Sequence, residues 1–450
     1  MTASVSYIST TNACKLCKPL GAAIAFRGIA GCVPFLHGSQ GCATYMRRYI
    51  ISHFNEPIDI ASSSLGEKHA VYGGGANLKL GLSNVIAAYR PELIGVATTC
   101  LTETIGDNVP MILQEYRDEF GFAGGLEVVH VSTPSYGGTH MEGFHAALRA
   151  VVAQLADDGE PHRGINVLGG FVSTADLRYL KAICRDFGLE ATLLPDYSET
   201  LDGEIAEDYQ LLPGGGTPLP AIRAMGGARA TVELGATLPV ETAGTDLLQR
   251  FQCRLERIGL PIGIRATDRL FALLAELSGR PIPARHRGAR GRLIDALVDG
   301  HKYCSGKRAI VYGEEDLVVG MAVFLAEIGI SPVLCGSGGK SGRFRQAIAD
   351  ALEDLVDELP TVHEDIDFYD IEQAAADSEI DLLVGNSKGY AFARRRQIPL
   401  IRVGFPIHDR IGGQRILHLG YQGAQALFDL IVNTLIEKKQ NDSPVGYSYM

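Results

Sequence analysis

Several common features are missing from this 450-residue sequence, and each absence excludes a class of protein. No run of about 18 or more uncharged apolar residues is present, so we expect no membrane span and no membrane partner. Residues 1–11 have neither the basic nor the apolar region of a secretory signal, which predicts a cytoplasmic location. An excess of positive charge is also missing. The formal net charge is −11, and we therefore expect no nucleic-acid partner.

The nine cysteines have neither the even count nor the signal peptide that accompany a disulfide framework. Thiols that stay reduced in a cytosol are free to bind metal. Cys14 and Cys17 form a Cys-x-x-Cys pair, which suits a zinc half-site or a redox pair. No second pair follows at zinc-finger spacing, and the neighbouring residues are polar. Taken alone, the pair therefore fits ordinary buried cysteines best.

What the sequence does contain is a recurring order of apolar strand, glycine and helix. That order is typical of parallel sheets joined by right-handed crossovers, and the length suffices for roughly two to four domains. It recurs in three blocks. We therefore predict an α/β fold of three Rossmann-like domains, each a mostly parallel sheet flanked by helices. The first domain covers residues 1–163 and contains the candidate site described below. The second covers residues 164–300 and the third residues 301–450.

Individual helices and strands are also predicted from hydrophobic periodicity. Their bounds can be compared with the structure one by one. Residues 221–230 and 245–258 have helical patterns, and residues 367–369 fit a short strand. Residues 1–11 are polar and β-prone, so we expect an arm that orders only against a partner.

Three cysteines lie near glycines or at the end of an apolar run. Cys17 precedes Lys-Pro-Leu-Gly, Cys42 closes His-Gly-Ser-Gln-Gly-Cys, and Cys100 follows the apolar run 93–98. Parallel sheets bind ligands at the carboxyl ends of strands, and glycines let backbone amides approach a bulky anion such as an iron–sulfur cluster. The spacing does not fit a compact ferredoxin run, and a closed cluster usually takes four thiolates. Two interpretations stay open: half of a cluster site that a partner completes, or tight turns beside core cysteines.

Other candidate sites have simpler interpretations. The Gly-Ser-Gly-Gly-Lys-Ser run after Cys335 is not a phosphate loop, because Leu334 stands where that motif needs glycine. Residues 73–75 are three glycines that open a helix, where a backbone turn is favoured over an anion site. His418 is expected to make a structural contact. The remaining cysteines are expected in the core: Cys32, Cys184, Cys253, Cys304 and Cys335.

Across nearly its whole length the sequence resembles the nitrogenase component 1 superfamily, and within it the β-like branch. The resemblance is carried by several motifs: Cys17-Lys-Pro-Leu-Gly-Ala, His37-Gly-Ser-Gln-Gly-Cys, Ala97-Thr-Thr-Cys-Leu-Thr-Glu-Thr-Ile-Gly-Asp, Pro399-Leu-Ile-Arg-Val-Gly-Phe-Pro and Leu419-Gly-Tyr-Gln-Gly-Ala. It implies three Rossmann-like domains, in agreement with the pattern.

The resemblance also implies a cofactor. Cys17, Cys42 and Cys100 match the β-side ligands of the P-cluster, an iron–sulfur cluster of the 8Fe–7S type that the α-like and β-like subunits share. Thr139 falls where the β subunit carries a serine that ligates the oxidised cluster, and threonine keeps the hydroxyl. The active-site iron–sulfur cofactor of the family lies on the α-like partner, so no catalytic residue is expected in this chain.

The implied function is that of a β-like subunit in an α2β2 heterotetramer. It relays electrons from an ATP-dependent iron protein to the partner's cofactor. The amino-acid sequence of residues 45–54 and 59–64 is most similar to that of the methylthio-alkane reductase group. This similarity implies cleavage of carbon–sulfur bonds. The alternative is a scaffold subunit for cofactor biosynthesis, and a third reading is a structural subunit with buried cysteines and no cluster.

Overall fold

The computed structural model describes residues 14–205, 207–208 and 210–446, apart from the side chain of Ala123. The predicted arm over residues 1–11 lies outside this range. The described residues form three parallel sheets with helices against their faces, as the α/β prediction requires. No helix in the described part of the chain is long and apolar enough to cross a membrane.

The first sheet has the strand order β2-β1-β3-β4, and every pair is parallel. Its two central strands, Cys32–His37 and Leu93–Thr98, are buried at every position, because helices cover both faces of a parallel sheet. The strands and helices of this unit are β1 (Cys32–His37), β2 (Ala61–Ser62), β3 (Leu93–Thr98), β4 (Glu127–Val131), α1 (Lys18–Arg27), α2 (Gln40–Phe54), α3 (His69–Tyr72), α4 (Gly75–Tyr89), α5 (Cys100–Ile105), α6 (Val109–Phe120) and α7 (His140–Leu155).

The second sheet has the order β6-β5-β7-β8, again all parallel. Its elements are β5 (His162–Leu168), β6 (Ala191–Leu194), β7 (Ala228–Leu234), β8 (Arg254–Ile258), α8 (Thr174–Asp186), α9 (Leu219–Arg223), α10 (Ala243–Phe251) and α11 (Gly263–Ser278).

Two of the helices predicted in this unit, over residues 221–230 and 245–258, extend too far toward the C-terminus. The helix over 221–230 is wrong beyond Arg223, because the chain turns through a 3-10 segment into the buried strand β7. The helix over 245–258 is wrong beyond Phe251, where Gln252 takes a left-handed conformation with φ 58°. The charged run after it is the edge strand β8, which pairs with β7. The strand β7 lies more than 20 residues earlier in the chain. The hydrophobic pattern of residues 245–258 alone therefore does not reveal this pairing.

The third sheet has five parallel strands in the order β11-β10-β9-β12-β13. The predicted strand over 367–369 is wrong: Asp367 caps a helix there by accepting the backbone N–H groups of Tyr369 and Asp370. The elements are β9 (Arg308–Tyr312), β10 (Ser331–Gly336), β11 (Thr361–His363), β12 (Leu382–Gly385), β13 (Leu400–Arg402), α12 (Ala284–Cys304), α13 (Glu315–Glu327), α14 (Phe344–Leu352), α15 (Phe368–Ala374), α16 (Tyr390–Arg396) and α17 (Gly420–Asp442).

The division of the chain at 163/164 and 300/301 stays a prediction. The first of these positions falls within strand β5 and the second within helix α12. One large hydrophobic core runs through all three units, and smaller cores cover the outer faces of the first and third sheets.

Helices α1 and α7 pack so closely that two glycines are required between them. A Cβ on Gly21 would lie 1.7 Å from the carbonyl oxygen of His140, and one on Gly143 would lie 1.8 Å from that of Lys18. This close approach places the start of α1, and therefore Cys17, directly beside the start of α7. It is the packing feature that shapes the candidate site.

Candidate functional site

Cys17 lies at the start of helix α1, where it forms an isolated antiparallel bridge with Thr139. Its side chain is half-buried. Burial raises the pKa of the Cys17 thiol, and the nearby thiols of Cys100 and Cys42 raise it further, while Ser135 opposes the shift by a hydrogen bond. Because Cys100 and Cys42 lie close enough to act on Cys17, residues that are far apart in the sequence lie together.

Cys42 is the third residue of helix α2, which begins just after strand β1. The Ser39 hydroxyl donates to the Cys42 sulfur at 3.4 Å. Gly38 is required in this turn because a Cβ there would lie 2.1 Å from the Thr99 hydroxyl oxygen. The loop that carries Cys42 therefore lies against the loop that leads into Cys100.

Cys100 is the first residue of helix α5, directly beyond the end of strand β3. The Ser135 backbone N–H donates to the Cys100 sulfur at 3.2 Å, and the Ser135 hydroxyl accepts the Lys18 backbone N–H at 3.2 Å. Ser135 thus links the start of α1 to the Cys100 loop. Because β1 and β3 are parallel neighbours, the loops that carry Cys42 and Cys100 leave the same edge of the sheet.

Thr139 caps helix α7. Its hydroxyl accepts the Met141 backbone N–H at 3.2 Å and donates to the Glu142 carboxylate, which also accepts the Thr139 backbone N–H at 2.7 Å. This is a capping box. Burial alone raises the pKa of Glu142, but the hydrogen bonds from Thr139 hold it below its ordinary value. The backbone of Thr139 thus lies beside that of Cys17, and the Thr139 hydroxyl already has two partners.

The three thiols differ from the other cysteines in exposure. Cys17, Cys42 and Cys100 are partly exposed, whereas the five cysteines predicted in the core are all buried, which confirms that prediction. Cys14 is buried too, but it packs in the outer core of the third sheet. Cys14 and Cys17 therefore lie in different surroundings, and nothing in the described chain supports a shared Cys-x-x-Cys site.

The positions of the acidic, histidine and cysteine side chains decide which kind of metal group fits the site. In the described residues, no three His, Cys, Asp or Glu side chains are gathered around a position for a single ion. A zinc site is therefore not built here, since zinc requires its ligands around one ion. A cluster binds each thiolate at its own iron and so accepts sulfurs that are farther apart. Three half-exposed thiols at one edge are compatible with such a cluster.

A polar network behind the Cys42 loop was not predicted. His37 lies at the end of β1, and its Nε2 contacts the Asp107 carboxylate at 3.0 Å while its Nδ1 contacts the Ser63 hydroxyl at 2.9 Å. Asp107 also accepts the Gly74 backbone N–H at 3.0 Å. Burial lowers the pKa of His37, and Asp107 offsets this only in part. Both residues stand in the cysteine motifs, which is the signal that identifies them.

That network also explains the three glycines at 73–75. They open helix α4 as predicted, and the Asp107 carboxylate of the chain itself lies at this turn. His418 makes the predicted structural contact, because its Nδ1 lies 2.8 Å from the buried carboxylate of Asp176. In the Gly-Ser-Gly-Gly-Lys-Ser run that follows Cys335, the Ser341 backbone N–H donates to the Glu315 carboxylate at 3.1 Å. A carboxylate of the chain itself therefore contacts this run, in agreement with the prediction that it is not a phosphate loop.

Fold and site together define a three-sheet α/β protein with a cysteine site at the carboxyl edge of its first sheet. The family profile described as nitrogenase component 1 type oxidoreductase matches residues 17–436. The chain belongs to this family.

Similar proteins of known class agree with that assignment. The nitrogenase molybdenum-iron protein beta chain of Clostridium pasteurianum is 35% identical over 434 residues, which cover 96% of this chain and 94% of that one. The beta chain of Methanothermobacter marburgensis is 34% identical, with 95% and 94% covered. A solved structure of nitrogenase Cp1 at pH 6.5 superposes with a TM-score of 0.95 at 32% identity, covering 100% of this chain and 98% of that chain.

Proposed function

We propose that this protein is the β-like subunit of a nitrogenase-like reductase and holds one side of an iron–sulfur cluster shared with an α-like subunit. The observation that carries the proposal is the convergence of three half-exposed thiols, from three separate segments, at one edge of the first sheet. The similarity to beta chains over nearly their whole length supports it. Converging thiols without a partner ligand leave a half-site, which is what a shared cluster needs.

Cys17, Cys42 and Cys100 would hold the cluster as thiolates. When bound, a P-cluster supplies a site that accepts and passes on electrons one at a time. The chain's own contribution is the binding and the surroundings: the Ser135 amide already donates to the Cys100 sulfur, and such hydrogen bonds set the potential of a cluster. Thr139 is an additional candidate ligand, and it would have to leave its hydrogen bond to Glu142 to bind iron.

The partners follow from the same proposal. An α-like subunit supplies the remaining cluster ligands and carries the active-site iron–sulfur cofactor, in an α2β2 heterotetramer. An ATP-dependent iron protein delivers the electrons. We assign no catalytic residue to this chain, and we place the complex in the cytoplasm with neither nucleic acid nor membrane as partner.

The substrate proposed is a methylthio-alkane, whose carbon–sulfur bond is cleaved at the partner's cofactor. The sequence of helix α2 and of residues 59–64 supports this choice. The second candidate is a scaffold subunit for cofactor biosynthesis. The retention of all three cysteines favours a relay over a scaffold, since a relay needs a permanently ligated cluster.

One anaerobic experiment separates these functions. The chain is purified with its α-like partner, its iron is measured, and turnover of a methylthio-alkane is assayed with the iron protein and ATP. We expect cluster iron and ATP-dependent release of the alkane. Cluster iron without turnover, together with transfer of a cofactor precursor to an acceptor protein, would instead identify the scaffold. A complex free of iron would contradict both.

A further inference from the structure

Ser135 lies in the loop after β4 and contacts two of the three site cysteines from a separate segment of the chain. The loop is held firmly beside the end of β3. The Thr133 hydroxyl donates to the Thr98 carbonyl at 2.6 Å, and the Thr133 backbone N–H donates to the Thr98 hydroxyl at 2.9 Å. Because Thr98 is the last residue of β3, this anchoring places Ser135 next to the start of α5 and therefore next to Cys100.

The backbone of Ser135 is free to donate to Cys100. Ser135 begins a 3-10 turn, and Pro134 before it is extended, with φ −67° and ψ 130°. The first N–H groups of a helical turn have no partner within that turn. The Ser135 N–H donates to the Cys100 sulfur at 3.2 Å instead. The thiol therefore accepts a hydrogen bond that the turn itself does not use.

The side chain of Ser135 acts at the start of α1. Cys17 occupies the position from which a side chain usually caps a helix, but its own side chain makes no capping bond. The Ser135 hydroxyl accepts the Lys18 backbone N–H at 3.2 Å in its place. Burial raises the pKa of the Cys17 thiol, and a hydrogen bond from the Ser135 side chain opposes that increase. One serine thus caps α1 and contacts its first cysteine.

Cys42 differs from the other two thiols in this respect. Its hydrogen bond, at 3.4 Å, comes from the Ser39 hydroxyl three residues earlier in the same loop. A local bond of this kind fixes a thiol only relative to its own loop. Ser135 is separated from Lys18 by 117 residues and from Cys100 by 35. Its contacts therefore fix the start of α1 and the start of α5 relative to each other.

We propose that Ser135 is a positioning residue of the cysteine site, which holds Cys17 and Cys100 at a fixed separation and donates a hydrogen bond to each. The inference rests on the proposed function, because it takes these two sulfurs as cluster ligands. Hydrogen bonds donated to ligand sulfurs stabilise the reduced, more negative state of a cluster and so raise its potential. Ser135 thus sets the spacing of two ligands and part of the potential.

The first test uses the full chain produced without iron. Dibromobimane, a short reagent that bridges neighbouring thiols, is added, and mass spectrometry measures the yield of each bridged pair. Ser135→Ala removes the hydroxyl and keeps the backbone N–H. Bridges between Cys17 and Cys100 should then fall about fivefold, the factor expected for one hydrogen bond, whereas bridges between Cys42 and Cys100 should stay unchanged. Ser135→Thr keeps the hydroxyl and should retain the wild-type yield.

The second test is a redox titration of the cluster in the anaerobic complex, followed by its electron paramagnetic resonance signal. Ser135→Pro removes the N–H as well as the hydroxyl, and proline is compatible with the first position of a turn that follows an extended residue. The midpoint potential should become more negative in Ser135→Ala and more negative still in Ser135→Pro. Ser135→Thr should keep the wild-type potential.

The matched control is Ser132→Ala, which removes a hydroxyl from the same loop. The Ser132 hydroxyl is exposed and donates to the Glu103 carboxylate at 2.6 Å rather than to a thiol. Both the bridging yields and the potential should stay at their wild-type values in this variant.

A wild-type yield of Cys17–Cys100 bridges in Ser135→Ala would overturn the proposal, as would the lack of such bridges in the wild-type chain. A wild-type potential in both the alanine and the proline variant would also overturn it. A complex without iron would contradict the proposed function instead, and the bridging yields would still decide the role of Ser135. Melting curves establish that each variant is folded, and if Ser135→Pro is not, Ser135→Ala decides.

Discussion

The nine cysteines divide into two groups, and the difference between them shows how the fold places one residue type in two environments. Six are buried in the cores, where burial raises the pKa of the thiol, to about 12 for Cys14 and Cys32. The other three, Cys17, Cys42 and Cys100, lie at the starts of helices beyond the first sheet and are partly exposed. A metal ligand must be able to reach the metal, and only the thiols of the second group are partly exposed.

The largest expected effect is on iron content. Cys100→Ala should remove nearly all cluster iron from the purified complex, because a half-site of three thiolates that loses one leaves an iron without its ligand. Cys184→Ala is the matched change in the buried group. It should cost stability of about 1 kcal/mol by leaving a small cavity and should keep the iron. Iron content and the visible absorption of both complexes measure this.

Equal iron in the two variants would break the comparison, since it would place the cluster elsewhere. Full turnover with Cys100→Ala would rule out the relay role even if some iron were kept.

The next effect is on thiol reactivity in the chain produced without iron. Iodoacetamide at pH 8 should label Cys42 and Cys100 at least about 100-fold faster than Cys184, because only a thiolate reacts and a thiol of pKa about 12 is almost entirely protonated. Cys17 should react more slowly than an ordinary exposed thiol, since burial raises its pKa. Mass spectrometry of peptides gives the rates. Labelling of Cys184 as fast as that of Cys100 would contradict the division.

A smaller effect is expected when the close packing between α1 and α7 is disturbed. Gly21→Ala should lower the free energy of unfolding by about 3 kcal/mol, because its Cβ meets the His140 carbonyl oxygen and the two helices must separate. Cys17 moves with α1, so cluster iron should also fall. The unfolding midpoint and the iron content are the measurements.

Gly137→Ala is the control for this change, because it adds the same methyl group next to the same site, where no atom lies within 4 Å. It should leave both quantities unchanged. Two variants with equal stability would show that the close approach of α1 and α7 is not needed.

The sequence supported the fold class because periodicity and glycine positions are local. The two central strands of the first sheet are apolar throughout, as strands covered on both faces must be. Errors arose where the deciding interaction is distant. Residues 254–258 are charged and look helical, yet they form the edge strand beside β7. Asp367 starts a helix by capping it, although the residues after it are β-prone.

Within the site, the cysteines themselves could be identified from glycine-rich motifs and strand ends. Ser135 could not, because its backbone and hydroxyl join segments near residues 18 and 100 that are distant along the chain. The contact between His37 and Asp107 was missed for the same reason.

By itself the sequence determined which residues have the chemistry: nine thiols, three of them in motifs near glycines or at the end of an apolar run, in a chain patterned for parallel sheets. Only the tertiary structure decided which thiols lie together and which are buried. The physical reason is that hydrophobic periodicity and glycine motifs involve only residues that are neighbours along the chain. Proximity, desolvation and pKa depend on groups that folding brings from elsewhere.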